Sequence, residues 1–209
     1  MSHGIFITLE GIDGTGKSTH ARRLAAYLRK RGIATVLTRE PGGTKVGEQI
    51  RRLLLNPKIT KMSSLTELTL MYAAREQHLE EVVRPALARG QVVISDRYND
   101  ASFAYQGYGR GLDLSMLHGL CDLAVGGLEA DLTIVLDCDP TLSRRRLDAR
   151  GSARDRLENE RLGFHERVRE GFLALARGGT RHVVLDAAET PENLVAAALA
   201  AIDGVGSRG

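Results

Sequence analysis

The fold of this chain can be read from the segment Gly11-Ile12-Asp13-Gly14-Thr15-Gly16-Lys17-Ser18. The segment matches the pattern G-x-x-x-x-G-K-[ST] at every fixed position, with an apolar run before it and an amphipathic segment after it. Glycines allow the backbone to curl tightly, so that its N–H groups converge at the start of a helix and can bind an anion. Lys17 adds a cation for the β- and γ-phosphates, and the Ser18 hydroxyl is a ligand for Mg²⁺. The motif therefore predicts a site for a nucleoside triphosphate.

Apolar runs alternate with amphipathic segments along the rest of the chain. The apolar runs lack polar alternation, which is typical of strands buried on both faces of a parallel sheet. Pro85 should kink or break a long helix, and a glycine-rich loop should precede a helix that begins at Leu114. We predict strands at 5–9, 33–38, 91–95, 132–137 and 182–185, and further helices at 18–31, 46–55, 64–88, 140–149, 157–177 and 191–203. This pattern predicts an α/β protein with the P-loop NTPase fold, in which helices cover both faces of a five-stranded parallel sheet.

Length and composition indicate one globular domain spanning residues 1–209. Hydrophobic residues make up 43% of the 209 positions and charged residues 26%. The formal net charge is +3, but positive charge is concentrated locally, because seven arginines fall within positions 144–161. Aromatic residues are only 4% of the chain and none lies among these arginines, so a base-stacking nucleic-acid surface is not supported. Nucleotide phosphates are the simpler partner for the cluster.

Neither cysteine indicates metal or redox chemistry. Cys121 and Cys138 lie among apolar residues, without a CxxC motif or a histidine at metal-ligand spacing, so both are expected to be buried thiols. The N-terminal residues do not predict a signal peptide, and no apolar run approaches membrane-spanning length. We therefore expect a cytoplasmic protein that binds neither a membrane nor nucleic acid.

A second motif, Ser95-Asp96-Arg97-Tyr98, follows the third predicted strand. A carboxylate at the carboxyl end of a parallel strand beside the phosphate loop lies in the ligand crevice. Asp96 is therefore expected to help Ser18 hold Mg²⁺, directly or through water, and Arg97 is expected to clamp a phosphate. A surface Asp–Arg ion pair is the alternative for the dipeptide taken alone.

Several segments resemble the thymidylate kinase family, in the same order along the chain. They are Glu10–Thr19 with its acidic Asp13, T-R-E-P-G-G-T at 38–44, Y-A-A-R at 72–75, D-R-Y at 96–98, A-Y-Q-G at 104–107 followed by G-R-G at 109–111, and D-R-L-E at 155–158. The resemblance runs through essentially the whole chain. It implies an enzyme that phosphorylates dTMP to dTDP with ATP and Mg²⁺, a step of dTTP synthesis. It also implies a homodimer packed through helices, with 64–88 and 114–125 as candidate faces.

The resemblance further implies how the acceptor nucleotide is held. Asp13 would bind its 3′-hydroxyl group, and Arg97 would bind its 5′-phosphate. Arg75 would donate to the O4 carbonyl of the pyrimidine, which disfavours cytosine because cytosine carries an amino donor there. The other implied acceptor-site residues are Arg39 and Glu40 near the phosphate, Ser102 at the base edge, Tyr105 where a ribose 2′-hydroxyl would lie, and Gln106 in the same pocket.

Met71 departs from the family pattern. The family commonly has a phenylalanine at this position, which stacks on thymine. A thioether still packs on a ring, but it loses aromatic stacking worth about 0.5–1.5 kcal/mol. The departure bears on the tightness of base binding more than on base identity.

Family members differ in where their catalytic arginine lies, and some carry it inside the phosphate loop. Here Gly14 and Thr15 occupy that part of the loop, so the chain is similar to the bacterial type, whose arginines lie in a lid. We expect a short arginine-rich lid at about 148–158. The loop from Gly11 to Thr19 is then expected to contact ATP, and Arg145 or Arg146 is expected to stack on adenine. The residues expected to act in catalysis are Lys17, Asp96 and Arg97, together with Arg150 and Arg154 near the γ-phosphate.

Other classes of protein carry a phosphate loop. A GTPase switch should contain N-K-x-D, which this sequence lacks, and its D-x-x-G at 148–151 ends an arginine-rich helix instead of following a strand. A nucleic-acid-binding ATPase is supported only by the arginine cluster. A kinase for guanylate, cytidylate or shikimate differs mainly in its acceptor. Another P-loop nucleoside monophosphate or small-molecule kinase is therefore the alternative.

Overall fold

The structure, a computed structural model, describes residues 4–206, so positions 1–3 and 207–209 of the expected domain lie outside the description. One sheet of five parallel strands has the order β2-β3-β1-β4-β5. The strands are β1 Ile5–Glu10, β2 Thr35–Arg39, β3 Val92–Asp96, β4 Leu132–Asp137 and β5 His182–Asp186. The expected fold is confirmed, with strand bounds within two residues of those predicted.

Helices cover both faces of the sheet. Within residues 4–206 they are α1 Lys17–Lys30, α2 Lys45–Leu55, α3 Ser64–His78, α4 Arg84–Ala88, α5 Asn99–Ser102, α6 Leu114–Val125, α7 Pro140–Ala149, α8 Leu162–Gly178 and α9 Pro191–Gly206. None of these helices combines the length and the apolar character that crossing a bilayer requires.

Successive side chains of β1 enter two different cores. Ile7 and Leu9 pack with apolar residues of α1 and α9 on one face, whereas Phe6 packs with residues of α3, α4 and α6 on the other. All three are at most 2% exposed. Burial on both faces explains why the strands show no polar alternation.

The helix predicted at 64–88 is interrupted near Pro85, as expected from that proline. After α3 the chain makes a wider π-helical turn at Leu79–Val83, and Pro85 then lies in the first turn of α4. A proline has no N–H to donate and its ring crowds the preceding turn, so the helix widens before it.

The glycine-rich segment before α6 is helical and not a loop. After α5, residues Phe103–Gly109 form a π-helical segment that is almost wholly buried. A Cβ on Gly107 would lie 2.6 Å from Leu114, and one on Gly109 would lie 2.7 Å from Phe164. These glycines therefore serve close packing, which a sequence cannot distinguish from turn formation.

The helix predicted from 157 begins later, at Leu162. Asp155 accepts hydrogen bonds from the backbone N–H groups of Leu157 and Glu158, both at 2.9 Å, which closes a turn instead of a helix. The N–H and side chain of Arg156 are bound to the last carbonyls of α2. The irregular segment between α7 and α8 is therefore longer than expected.

The two cysteines differ in burial. Cys138 is buried as expected, whereas Cys121 is only half-buried and accepts a hydrogen bond from Asn99 at 3.0 Å. Burial raises the pKa of both thiols, which makes them poor nucleophiles.

Candidate active site

Two adjoining cavities open where the segments after β1 and β3 meet. One, of about 1080 Å³, lies over the phosphate loop and is called here the P-loop cavity. The other, of about 560 Å³, lies beside it and is called the side cavity. Both are lined by the same five residues, which form a shared wall: Asp13, Glu40, Arg51, Arg97 and Asp155. Two ligands bound in these cavities would meet at that wall.

The phosphate loop joins β1 to α1 and depends on glycine. Gly14 has a φ of 83°, and a Cβ there would lie 2.6 Å from the carbonyl oxygen of Ser143. Gly16 precedes α1 with a φ of 88°, and no side chain within residues 4–206 caps this helix. The N–H groups of Lys17 and Ser18 are thus available to an anion in the P-loop cavity, whereas that of Thr19 donates to the carbonyl oxygen of Gly16.

Lys17 is buried beneath this loop. Its ammonium group donates to the carbonyl oxygen of Ile12 at 2.7 Å. Burial, together with the nearby Arg97, lowers the pKa of Lys17 to about 8. Asp13, Gly14 and Gly16–Thr19 line the P-loop cavity, whereas Gly11, Ile12 and Thr15 shape the loop without lining it.

Ser18 and Asp96 come together as expected. The Ser18 hydroxyl donates to Oδ2 of Asp96, and both side chains line the P-loop cavity. Two oxygen atoms side by side, next to a phosphate site, fit Mg²⁺, which keeps several waters and takes further ligands from phosphates. Among the described residues there is no cluster of three or more histidines, cysteines or carboxylates that would form a self-contained metal site.

Asp13 and Arg97 of the shared wall form a cluster with Tyr105, which lines the side cavity. Nη2 of Arg97 lies 2.5 Å from Oδ1 of Asp13 and 2.9 Å from the Tyr105 hydroxyl, which itself donates to Oδ2 of Asp13 at 2.7 Å. Nη1 of Arg97 donates to the carbonyl oxygen of Gly11. Burial by itself would raise the pKa of Asp13, but Arg97 and Lys17 hold it well below its ordinary value. Asp13 is therefore an ionised acceptor facing both cavities.

Arg75 is held rigidly at the side cavity. It is 2% exposed and donates to Oε2 of Glu40 at 2.7 Å, to the Ser102 hydroxyl at 3.0 Å and to the carbonyl oxygen of Tyr98 at 2.9 Å. Burial would raise the pKa of Glu40, but Arg75 and His78 outweigh it and keep this carboxyl group ionised. The guanidinium plane is thus fixed before any ligand binds.

Other residues that line the side cavity are Met71 and Tyr105, which present mostly apolar surface, and the polar Gln106. Met71 and Tyr105 are both buried. The Tyr105 ring packs edge-on against Phe164 and Phe172, at centroid distances of 6.0 and 6.2 Å, which fixes its position.

Arg39 and Glu40 lie apart in the site. Arg39 is exposed, pairs with Glu48 at 3.0 Å and lines the P-loop cavity, not the side cavity. Glu40 lines both cavities but is occupied by Arg75 and by His78, whose Nδ1 lies 2.9 Å away. Its contacts make it a support for Arg75.

The arginines expected in a lid have different surroundings. Arg146 and Arg150 line the P-loop cavity, and Arg150 forms a bidentate pair with Glu158 at 3.0 and 2.8 Å. Arg154 pairs with Asp148 and is not part of that lining. Arg145 is likewise absent from the lining.

Several residues that line the two cavities were not expected from the sequence, among them three charged ones. Arg51 of α2 and Asp155 lie in the shared wall, and burial raises the pKa of Asp155 to about 6. Arg22, one turn into α1, also lines the P-loop cavity. Asp155 belongs to the D-R-L-E motif at 155–158, so it could have been named as a site residue from the sequence. A charged residue on an amphipathic helix such as α2 cannot be recognised as a site residue from the sequence alone.

The chain is similar to known thymidylate kinases over most of its length. The family model described as thymidylate kinase matches residues 9–198. The thymidylate kinase of Alkalilimnicola ehrlichii is 52% identical over 176 residues, which cover 84% of this chain and 81% of the relative. That of Deinococcus radiodurans is 48% identical over 203 residues, covering 97% and 98%.

Comparison with solved structures agrees with these sequence matches. The crystal structure of thymidylate kinase from Ehrlichia chaffeensis has a TM-score of 0.73 to this chain and 36% sequence identity, and the match covers 88% of this chain and 87% of that one. This chain belongs to the thymidylate kinase family.

Proposed function

We propose that this protein transfers the γ-phosphoryl group of ATP to dTMP, forming dTDP and ADP. The observation that carries the proposal is the pair of cavities with a shared wall that contains Asp13 and Arg97. One cavity has the phosphate loop that a nucleoside triphosphate needs, and the other has an apolar lining with a few polar side chains, which suits a nucleoside monophosphate. The wall between them is where a phosphoryl group would pass.

ATP binds in the P-loop cavity in this proposal. The N–H groups of the loop and the ammonium group of Lys17 hold the phosphates, and Arg146 contacts the adenine. Ser18 and Asp96 would hold Mg²⁺, which would supply positive charge to neutralise the phosphates. The contact between the two side chains supports this assignment, because both oxygens already lie together.

The acceptor binds in the side cavity. Arg97 binds its 5′-phosphate, and Asp13 accepts a hydrogen bond from its 3′-hydroxyl group. Arg75 and Ser102 face the base edge, and a guanidinium donor there favours the O4 carbonyl of thymine over the amino group of cytosine. Tyr105 is held by two phenylalanines and closes the space next to the sugar, which favours deoxyribose.

Catalysis in this arrangement is positioning and charge neutralisation. A phosphate oxygen of the acceptor attacks the γ-phosphorus in line, and the bond to the β-phosphate oxygen breaks. No general base is required, because the attacking phosphate is already ionised. Lys17, Arg97 and the lid arginines Arg150 and Arg154 stabilise the charge that spreads over the transferred group. For Arg154 this requires release from Asp148, a motion that would also close the lid and exclude water.

A panel of acceptors tests the proposal. Release of ADP should be measured with purified protein, Mg²⁺-ATP and each nucleoside monophosphate in turn. We expect dTMP to be the best substrate, dUMP to trail, and dCMP and ribonucleotides to be poor. A different preferred acceptor would identify another P-loop kinase, and ATP turnover that no acceptor accelerates would refute a kinase altogether.

We also propose that the protein works as a homodimer in the cytoplasm, where its nucleotide substrates occur. The faces of α3 and α6 support dimerisation, because Leu65, Leu114 and Leu123 are 48%, 39% and 82% exposed on them. Light scattering of wild type and Leu123→Arg tests the assembly. A wild-type mass of about one chain, 22.7 kDa, would refute it.

A further inference from the structure

The backbone of Arg97 is strained. Arg97 has a φ of 76°, and it is the one non-glycine residue with a positive φ in the part of the chain described. A side chain in this conformation is crowded against its own backbone, so the conformation persists only where the surroundings impose it. The strained turn aims the guanidinium group at the wall between the two cavities.

Three hydrogen bonds impose this turn. The N–H of Arg97 donates to the carbonyl oxygen of Leu9 at 3.0 Å, and the Ser95 hydroxyl donates to the carbonyl oxygen of Arg97 at 2.7 Å. The N–H of the next residue, Tyr98, donates to Oε1 of Glu10 at 2.7 Å. Of these three, the bond to Glu10 is the one made by an ionisable side chain.

Glu10 is an unusual residue for its position. It is the last residue of β1, directly before the phosphate loop, and it is 0% exposed. Its Oε2 has no hydrogen-bond partner among the described residues. A buried carboxyl group with one unpaired oxygen destabilises a fold, so packing alone gives no reason for a glutamate here.

We propose that Glu10 is a positioning residue, which holds the Tyr98 N–H and thereby fixes the strained Arg97 turn against the phosphate loop. The inference rests on the proposed role of Arg97 in binding the acceptor phosphate. Glu10 spans from β1 to the segment after β3, so it sets the distance between the loop that holds ATP and the arginine that holds the acceptor. Glu10 lines neither of the two substrate cavities, so its role is to align the phosphate loop with Arg97.

The charge state of Glu10 supplies a conservative test variant. Burial, and then the neighbouring Asp100, raise the pKa of Glu10 to about 8, against the opposing effects of Arg97 and Lys17. This shift favours the neutral form of the carboxyl group near pH 7. Glutamine has the same shape and keeps an oxygen that accepts from Tyr98, whereas methionine has similar length and no such acceptor.

The experiment compares Glu10→Gln, Glu10→Met and the control Thr8→Val. Thr8 lies two residues earlier on the same face of β1, is 1% exposed, and its hydroxyl bonds to Thr133 at 3.1 Å and to none of the residues of the Arg97 turn. KM for the acceptor, KM for ATP, kcat and Tm should be measured at pH 7. The acceptor is whichever monophosphate the wild type prefers, so an unexpected acceptor preference does not affect this test.

Glu10→Met should raise KM for the acceptor about tenfold, equivalent to about 1.4 kcal/mol, the size of one lost buried hydrogen bond. KM for ATP should stay within about twofold, and Tm should change little, because removal of a buried carboxyl group offsets the lost hydrogen bond to Tyr98. Glu10→Gln and Thr8→Val should keep the wild-type KM for the acceptor. Equal effects on both KM values, or a Glu10→Gln variant as impaired as Glu10→Met, would overturn the proposal.

Ser95→Ala removes a different bond to the same turn and guards against misfolding of the Glu10 variants. It should raise KM for the acceptor selectively, in the same direction. An unchanged KM for the acceptor in both Ser95→Ala and Glu10→Met would show that the turn does not depend on these bonds.

Discussion

Replacing Arg75 by methionine should destabilise the folded protein strongly, because it strips a buried carboxylate of its main partner. The side chains of Arg75 and Glu40 are each 3% exposed and lie 2.7 Å apart. Removing one partner of such a pair costs about 3–5 kcal/mol. His78 still contacts Glu40 at 2.9 Å in the variant, so we expect the lower value, about 3 kcal/mol. For a chain of this size that corresponds to a fall in Tm of about 6–12 °C.

Urea unfolding and thermal melting of Arg75→Met measure this loss, and Arg177→Met provides the matched control. Arg177 pairs with Glu170 at 3.1 Å, but these side chains are 68% and 58% exposed, so the control should lose at most about 1 kcal/mol. The double variant Glu40→Gln/Arg75→Met should recover part of the loss, since it also removes the orphaned charge.

Two results would refute this reasoning. One is an Arg75→Met variant as stable as Arg177→Met, and the other is a double variant no more stable than Arg75→Met. Assayed below its melting range, Arg75→Met should also lose about tenfold in its preference for dTMP over dCMP, which corresponds to one charge-assisted hydrogen bond.

Three further predictions concern the phosphate loop. Asp13→Asn should reduce the preference for dTMP over its 3′-deoxy analogue about tenfold in kcat/KM, and an unchanged ratio would exclude Asp13 from sugar binding. Chelating Mg²⁺ with EDTA, or replacing Ser18 by alanine, should lower kcat about 100-fold or more, with excess Mg²⁺ restoring the chelated enzyme only. Lys17 has a folded pKa of about 8, below the 10.5 of an ordinary lysine, so the unfolded state binds more protons between these values. Stability in urea should therefore rise with pH over that interval in the wild type, and Lys17→Met should abolish both this rise and turnover.

Most of the fold was predictable because its signals are local. The phosphate loop has fixed residue types at fixed spacing, and strands buried on both faces leave continuous apolar runs. Errors arose where distant packing overrode local preference. The glycines at 107 and 109 favour a turn by themselves, yet contacts with Leu114 and Phe164 require them inside a helical segment.

Several residues that line the two cavities were named from the sequence, but the contacts between them were not. The resemblance named Asp13, Arg75 and Arg97, whereas it gave no reason to expect that Glu40 is the counter-ion of Arg75. Arg51 gave no signal, because a polar position on an amphipathic helix looks the same whether it faces solvent or a ligand cavity.

The sequence by itself determined the chemistry at the end of β1, since a glycine-rich loop between a strand and a helix binds phosphate through its own backbone. Only the tertiary structure decided how Asp13, Arg97 and Tyr105 form one hydrogen-bonded cluster and how Glu10 reaches Tyr98. These residues are 84, 92 and 88 positions apart in the pairs that make contact. Their contacts come from the placement of β3 beside β1. This pairing depends on burial of the whole sheet, so it cannot be read from the residue type at any single position of the sequence.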